Sequence, residues 1–296
     1  MKILQKGFLG LSRSLLLALV ASVSLLPAVS QAQNIIMSDG GSTAVVNPGN
    51  GLGNLGMNSW TVDTLNQNQL NQQWFWYSIN GAVGQTLDQL GNASIQSANY
   101  NGGINNLVVA SYANSQLSAT VTYLLTGNGS GSGSADITEQ IQLQNIGQTT
   151  YALNFYQYSD FNLLGGLSDT VVISGSPGTG FTGALQQTST GGAGLAEVID
   201  SPSANYAEAN TVGGVTSTLY KLNNTASLNL DNVLNAGPGD VTWALQWSEL
   251  NLAPGGTLDI TKDKGLSISI VPEPSTVAFL ALGLGALGLS LRRKLS

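Results

Sequence analysis

Residues 117–144 read LSATVTYLLTGNGSGSGSADITEQIQLQ, and the pattern of this stretch decides the fold class. Apolar residues occupy every second position through 117–125, and the segment 137–143 repeats that spacing with Glu139 at one of the apolar positions. A period of two is typical of a β-strand that buries one face. Residues 127–134 contain Gly, Asn and Ser alone, which predicts a flexible loop tip. Two arrangements fit this loop: a division between subdomains, or a loop within one continuous sandwich.

The same alternation recurs in three later segments: 151–155, 241–247 and 258–270. Turn residues separate them, and Asn145-Ile146-Gly147 predicts a hairpin turn. Helical patterns are confined to the short stretches 66–73 and 84–90. Many short strands joined by Gly- and Asn-rich turns indicate an all-β protein. We therefore predict an antiparallel β-sandwich of the jelly-roll type.

Composition limits the function. The chain has no Cys and no His, which excludes disulfides, thiol catalysis, a Ser-His-Asp triad and the usual zinc or copper sites. Between residues 33 and 271 the basic residues are Lys221, Lys262 and Lys264, against fifteen acidic residues, for a net charge of −12. A nucleic-acid partner is excluded on this ground, because nucleic-acid binding needs a basic surface.

A non-enzymatic protein is the first expectation, and no cofactor is expected. The alternative is a glycan-active enzyme that uses two carboxylates facing each other across a cleft. The candidates for such a pair are Glu139, Asp160, Glu197, Glu208 and Glu249. Glu139 is of particular interest because a carboxylate on an apolar strand face lies either at a sheet edge or in a site.

The N-terminus predicts a secretory signal peptide over residues 1–32. Lys2, Lys6 and Arg13 form its charged region, and an uncharged apolar run follows from 14 to 26. Ser30-Gln31-Ala32 provides small residues for cleavage between Ala32 and Gln33. The expected partners are the Sec translocon and signal peptidase, and the exported β-sandwich domain is expected to cover 33–271.

The C-terminal segment 272–296 has three parts. Pro272-Glu273-Pro274 cannot be helical, the uncharged run 277–291 is of marginal length for a transmembrane helix, and Arg292-Arg293-Lys294 ends it. Basic residues after a membrane span belong on the cytoplasmic side. We expect a membrane helix with a cytoplasmic C-terminus.

These features resemble the PEP-CTERM sorting signal of exported bacterial proteins, in order, spacing and position. The resemblance covers about a twelfth of the chain. It implies recognition by an exosortase, cleavage near Pro272-Glu273-Pro274, transient anchoring in the inner membrane and a final place at the cell surface or outside the cell. It also implies a structural or adhesive role in the exopolysaccharide or biofilm layer. A carbohydrate-binding module is one alternative, and an ice-binding protein is another.

Two further groups of residues are candidate sites. Trp74-Phe75-Trp76-Tyr77 places rings on both faces of one strand, so Trp74, Trp76 and Tyr77 either contact a glycan or pack in the core. Asp160, Asn162 and Asp169 provide oxygen ligands near two glycines, which suits Ca²⁺. Their spacing departs from an EF-hand, because Val171 stands at position twelve. The alternative is that they cap turns.

Overall fold

A computed structural model describes residues 34–49, 54–63, 67–211 and 213–269. The predicted signal peptide with its cleavage site at Ala32 and Gln33, and the tail 272–296 with Pro272-Glu273-Pro274 and Arg292-Arg293-Lys294, lie outside these residues. The described residues contain no helix that is long and apolar enough to cross a membrane. They form two large antiparallel sheets that pack as a sandwich.

The first sheet has nine strands. From edge to edge they are β15 (Asn235–Gly239), β11 (Asp169–Ser176), β12 (Gly180–Thr188), β13 (Ala193–Ser201), β17 (Thr257–Ile268), β9 (Ser134–Asn145), β8 (Leu117–Gly127), β7 (Leu107–Ala113) and β6 (Ser94–Ala98). The second sheet has eight strands. They are β1 (Ile35–Asp39), β2 (Ser42–Asn47), β3 (Gly56–Val62), β4 (Leu70–Ile79), β10 (Tyr151–Phe161), β16 (Val241–Leu252) and β14 (Tyr206–Thr211), with β5 (Gln85–Thr86) paired to β4.

Strand β9 shows why the alternating sequence makes the nine-stranded sheet. Ile137, Ile141 and Leu143 are fully buried, whereas Thr138, Gln140 and Gln142 are partly or fully exposed. The glycine loop closes a hairpin, because β8 and β9 pair from Leu117 opposite Asn145 to the base of the loop. The loop therefore lies within one sheet.

The middle of the eight-stranded sheet is buried on both faces, because a second layer covers it. Helix α1 (Thr218–Asn224) and the chain after it lie on the outer face. The indole N–H of Trp76 donates to Asn223 (3.0 Å), and the hydroxyl of Tyr156 donates to the carbonyl of Leu228 (2.8 Å). On the inner face, Phe75 lies beneath Lys262 of β17. Double burial explains why β4 reads as a continuous aromatic run.

Three predictions of local structure need correction. A jelly roll has eight strands, whereas the described residues form seventeen. The turn at Asn145-Ile146-Gly147 is not a hairpin, because β9 and β10 belong to different sheets and the segment crosses between them. The described part of the segment 66–73 does not form a helix, since its residues from Leu70 onward begin β4.

The other helical prediction is partly confirmed. Leu87–Leu90 forms a 3₁₀ turn after the short strand β5. The sequence pattern missed α1, which begins where the side chain of Ser217 accepts a hydrogen bond from the backbone N–H of Tyr220.

Candidate functional site

The aromatic run of β4 belongs to the core. Trp74, Trp76 and Tyr77 are 0%, 2% and 4% exposed, and Phe75 is fully buried. The polar atoms of these rings also have partners: the Trp74 indole N–H donates to Asp88 (3.3 Å) and the Tyr77 hydroxyl to Gln85 (2.8 Å). These side chains present no ring face to a sugar, so the structure supports core packing and does not support the glycan-contact alternative.

The calcium candidates lie in what we term the aspartate cluster: Asp160, Asp169 and Asp240. One side-chain oxygen of each aspartate, and that of Asn162, is buried without a hydrogen-bond partner. Burial raises the pKa of Asp160 to about 6, and the charge of Asp240 adds to the shift. Burial likewise raises the pKa of Asp169. The described residues contain no group of three His, Cys, Asp or Glu side chains placed to hold a metal ion, and the calcium site stays a prediction.

Glu139 does not lie at a sheet edge. Its strand β9 is central, and the register places Glu139 opposite Lys262 of β17, while Lys264 lies opposite Glu197 of β13. Alternation turns all four side chains to the inner face, where they are at most 2% exposed. We call Glu139, Glu197, Lys262 and Lys264 the lysine–glutamate cluster.

Contacts within the lysine–glutamate cluster are dense. Lys262 Nζ donates to Glu139 Oε2, and Lys264 Nζ donates to Glu139 Oε1 (2.7 Å). Glu197 Oε1 lies 3.2 Å from Lys262 Nζ and 3.5 Å from Lys264 Nζ. The opposite sheet contributes donors to Glu197 Oε2, from Gln157 (2.8 Å) and from the indole of Trp243 (3.0 Å). The ring of Phe75 faces Lys262 Nζ at 5.3 Å.

The lysine–glutamate cluster shifts the pKa values of Glu197, Lys262 and Lys264. Burial disfavours the Glu197 carboxylate, but Lys264 and Lys262 outweigh it and lower its pKa to about 2. Burial lowers the pKa of Lys262 to about 8. For Lys264 burial acts in the same direction, but attraction by Glu139 and Glu197 outweighs it and the pKa is raised.

The structure brings together one of the predicted carboxylate pairs, Glu139 with Glu197, but it seals the pair from solvent and places two ammonium groups beside it. Glu208 instead pairs with Lys221 of α1 at 2.7 Å. All three lysines of the region 33–271 are therefore in ion pairs. The surface of the described residues offers no free cation for an acidic ligand.

The sequence did not point to a cleft of about 620 Å³ that opens on the outer side of the eight-stranded sheet. Its lining includes four asparagines and one tyrosine: Asn154, Asn205, Asn229, Asn232 and Tyr206. We call it the asparagine cleft. The region 33–271 contains 27 Asn. This excess was the sequence feature from which a cleft lined by asparagines could have been suspected. Which of them meet was not predictable, because β10, β14, β16 and the segment after α1 each contribute.

In each of the four asparagines the side-chain oxygen is the amide atom that is hydrogen-bonded to the protein. Asn154 Oδ1 accepts from Ser248 Oγ (2.6 Å), and Asn205 Oδ1 accepts from Ser248 N (2.7 Å). Asn229 Oδ1 accepts from Gln246 (3.0 Å), and Asn232 Oδ1 accepts from the backbone of Ala207 (3.2 Å). No Nδ2 group of these four asparagines bonds to another described residue. The protein thus fixes each amide by its oxygen and leaves its two N–H donors available.

Comparison with known proteins identifies the C-terminal segment and the fold. Residues 271–294 match the PEP-CTERM protein-sorting motif, so the chain carries the sorting signal of an exosortase substrate, which confirms the resemblance. That signal implies export and anchoring by the C-terminus before processing. No curated protein matches the chain.

Among solved structures, a bacterial glucoamylase complexed with acarbose is similar over 86% of this chain, with 8% identity and a TM-score of 0.57. The match covers 35% of the glucoamylase, so the chain spans about a third of its length. A putative aldose 1-epimerase from Escherichia coli K12 matches over 81% of this chain and 99% of its own, with 11% identity and a TM-score of 0.46. At such identities the glucoamylase match shows a shared fold alone.

Proposed function

We propose that this exported exosortase substrate is a non-catalytic adhesive protein that binds a neutral polysaccharide of the cell-surface layer through the asparagine cleft. The observation that carries the proposal is the set of four oriented amides with unused N–H donors. Hydroxyl and ring oxygens of a sugar accept such bonds, and polar groups fixed in advance lose little freedom on binding. Tyr206 adds a ring at the same cleft.

Charge selects the class of polysaccharide. The cleft lining contains no ionisable side chain other than the Tyr206 phenol, and the region 33–271 carries a net charge of −12 with all three lysines paired. An acidic polymer would be repelled. The fold shared with part of a bacterial glucoamylase crystallised with acarbose supports a carbohydrate ligand, but it does not name one.

Replacement of Asn205 and Asn229 by Asp tests the cleft sharply. Each substitution keeps the side-chain oxygen that the protein uses and removes the N–H donors offered to the ligand. Loss of two net hydrogen bonds of about 0.5–1.5 kcal/mol each predicts an affinity that is weaker by about five- to 150-fold. Isothermal titration or affinity electrophoresis against a panel of neutral polysaccharides measures it.

Asn251→Asp is the control for each single variant, Asn205→Asp or Asn229→Asp, because Asn251 is exposed outside the cleft and each of these substitutions adds one negative charge. Equal losses in the control and in the single variants would contradict the proposal. Reducing ends are followed in the same samples, and we expect no increase. Turnover that Glu139→Gln abolishes would contradict the non-catalytic part.

A further inference from the structure

The lysine–glutamate cluster has no role in the proposed binding, yet it places a primary amine against a carboxylate in a closed apolar interior. We propose that Lys262 and Glu139 form an intramolecular amide bond that links β17 to β9. The two residues are directly opposite each other in the sheet, and Lys262 Nζ already donates to Glu139 Oε2. Both side chains are fully buried, so the protein holds the reacting groups together and excludes water.

Lys264 supplies the electrostatic stabilisation that such a reaction needs. Its Nζ is 2.7 Å from Glu139 Oε1, the oxygen that becomes negative when an amine adds to the carboxyl carbon. A cation fixed at that position stabilises the developing charge. The attraction of Glu139 and Glu197 outweighs the burial of Lys264 and raises its pKa, so this lysine stays charged, whereas burial lowers the pKa of Lys262 to about 8. Lys262 is assigned as the nucleophile because it lies directly opposite Glu139 in the sheet, whereas Lys264 contacts the oxygen that becomes negative.

Glu197 is placed to carry the proton. Its Oε1 is 3.2 Å from Lys262 Nζ and accepts no hydrogen bond of normal geometry, while its Oε2 is held by Trp243 and Gln157. A carboxylate with one fixed oxygen and one unoccupied oxygen at the amine can act as a general base and then as a general acid.

The reaction balances without any other reagent. One proton of the Lys262 ammonium moves to Glu139 Oε2, which gives a neutral amine and a neutral acid. The amine nitrogen then bonds to the Glu139 carboxyl carbon, and a second proton passes through Glu197 to Oε2. The bond from that carbon to Oε2 breaks, water leaves, and the amide nitrogen keeps the third proton. The remaining charges, Lys264 and Glu197, stay 3.5 Å apart as a neutral pair.

A physical advantage follows for an exported chain without cysteine. The bond replaces a fully buried ion pair, whose desolvation is costly, by a neutral amide. It also joins residues that are far apart in the sequence, which restricts the unfolded chain as a disulfide would.

Peptide mass mapping of the full chain, purified after export and unfolded before digestion, tests the bond. Cleavage before each aspartate gives peptides 136–159 and 259–262, which contain Glu139 and Lys262 respectively. We expect one species whose mass is the sum of the two less one water, with fragment ions that place the link at these residues. Two separate peptides of full mass from the folded wild-type protein would overturn the proposal.

Glu197→Gln separates the proposed reaction from simple proximity. The change preserves size but removes the proton acceptor, so the joined species should fall at least tenfold while circular dichroism still shows a β-rich fold. Glu208→Gln is the matched control, because Glu208 is an equally buried partner of another lysine, and it should leave the joined species unchanged. A joined species that persists in Glu197→Gln would overturn the role assigned to Glu197.

Discussion

The lysine–glutamate cluster and the aspartate cluster both bury carboxylates, yet their acids respond in opposite ways. In the first, two lysines lie within 3.5 Å of Glu197 and lower its pKa to about 2 despite complete burial. In the second, none of the described lysines is among the groups that shift the pKa of Asp160, and burial raises that pKa to about 6. The contrast teaches that the partners of a buried acid, and not burial alone, decide its charge state.

The largest expected effect on stability comes from removing one charge of the lysine–glutamate cluster. Lys264→Met preserves much of the side-chain volume but leaves excess negative charge in a closed interior. Removal of one partner of a buried ion pair costs about 3–5 kcal/mol of unfolding free energy. Urea denaturation measures the loss.

Lys221→Met is the control for this variant, because Lys221 is itself 19% exposed and its partner Asp231 is mostly exposed. We expect a smaller loss there, since solvent screens an exposed charge. Equal losses of unfolding free energy in the two variants would mean that burial of the lysine–glutamate cluster does not increase the cost of removing a lysine.

An intermediate effect is expected from the pH dependence of the aspartate cluster. Burial raises the folded-state pKa of Asp160 to about 6 from its ordinary value of 3.8, so the folded state binds this proton more tightly than the unfolded chain. Its contribution to stability is therefore present below pH 4 and is lost as the pH rises through 6. The shift corresponds to at most about 3 kcal/mol.

Asp160→Asn removes that dependence. The amide oxygen can still accept the hydrogen bond from Asn71, which is 2.8 Å from the carboxylate in the wild type. We expect the variant to be more stable than wild type at pH 7.5 and to match it near pH 4. The comparison is made by urea denaturation at a series of pH values. A variant that is less stable than wild type at pH 7.5 would show that the charge of Asp160 is matched in solution, for example by a bound cation.

The lysine–glutamate cluster changes the pH dependence of stability in the opposite direction. The folded-state pKa of Glu197 lies below its pKa in the unfolded chain. Glu197 therefore contributes stability that is present above pH 4.5 and is lost as the pH falls toward 2. The two clusters together predict maximal stability in mildly acidic solution. A monotonic rise in stability from pH 3 to pH 8 would contradict the contribution assigned to the aspartate cluster.

Sequence patterns predicted much of the fold but little of the site. The alternation around Ile137 and Ile141, and the sorting motif at residues 271–294, depend on neighbouring residues and can be recognised locally. The anomaly at Glu139 was visible too, because a charge stood at an apolar position. Its explanation was not, since Lys262 lies over a hundred residues away and meets it only through the register of β17 with β9.

The asparagine cleft could not be predicted from the sequence either. Asn154 and Ser248 lie opposite each other in β10 and β16, while Asn205 and Asn229 arrive from loops on either side of α1. Asparagine is also the ordinary residue of turns, so a count cannot separate ligand-binding amides from turn residues. The arrangement follows from the topology of the whole sheet.

The smallest expected effect concerns a third group of acids, on the outer face of the nine-stranded sheet. Burial raises the pKa of Asp263 to about 6, with Asp200 adding to the shift and a hydrogen bond from Thr138 (2.5 Å) opposing it. Asp200 is exposed, so solvent screens its share. Asp200→Asn should therefore lower the pKa of Asp263 by less than about one unit and change stability by a few tenths of a kcal/mol. Carbon-detected NMR titration of the Asp263 carboxyl measures the shift, and 0.5 M salt should shrink it in wild type. A fall of the Asp263 pKa to its ordinary value in Asp200→Asn would mean that the exposed Asp200, and not burial, causes the shift.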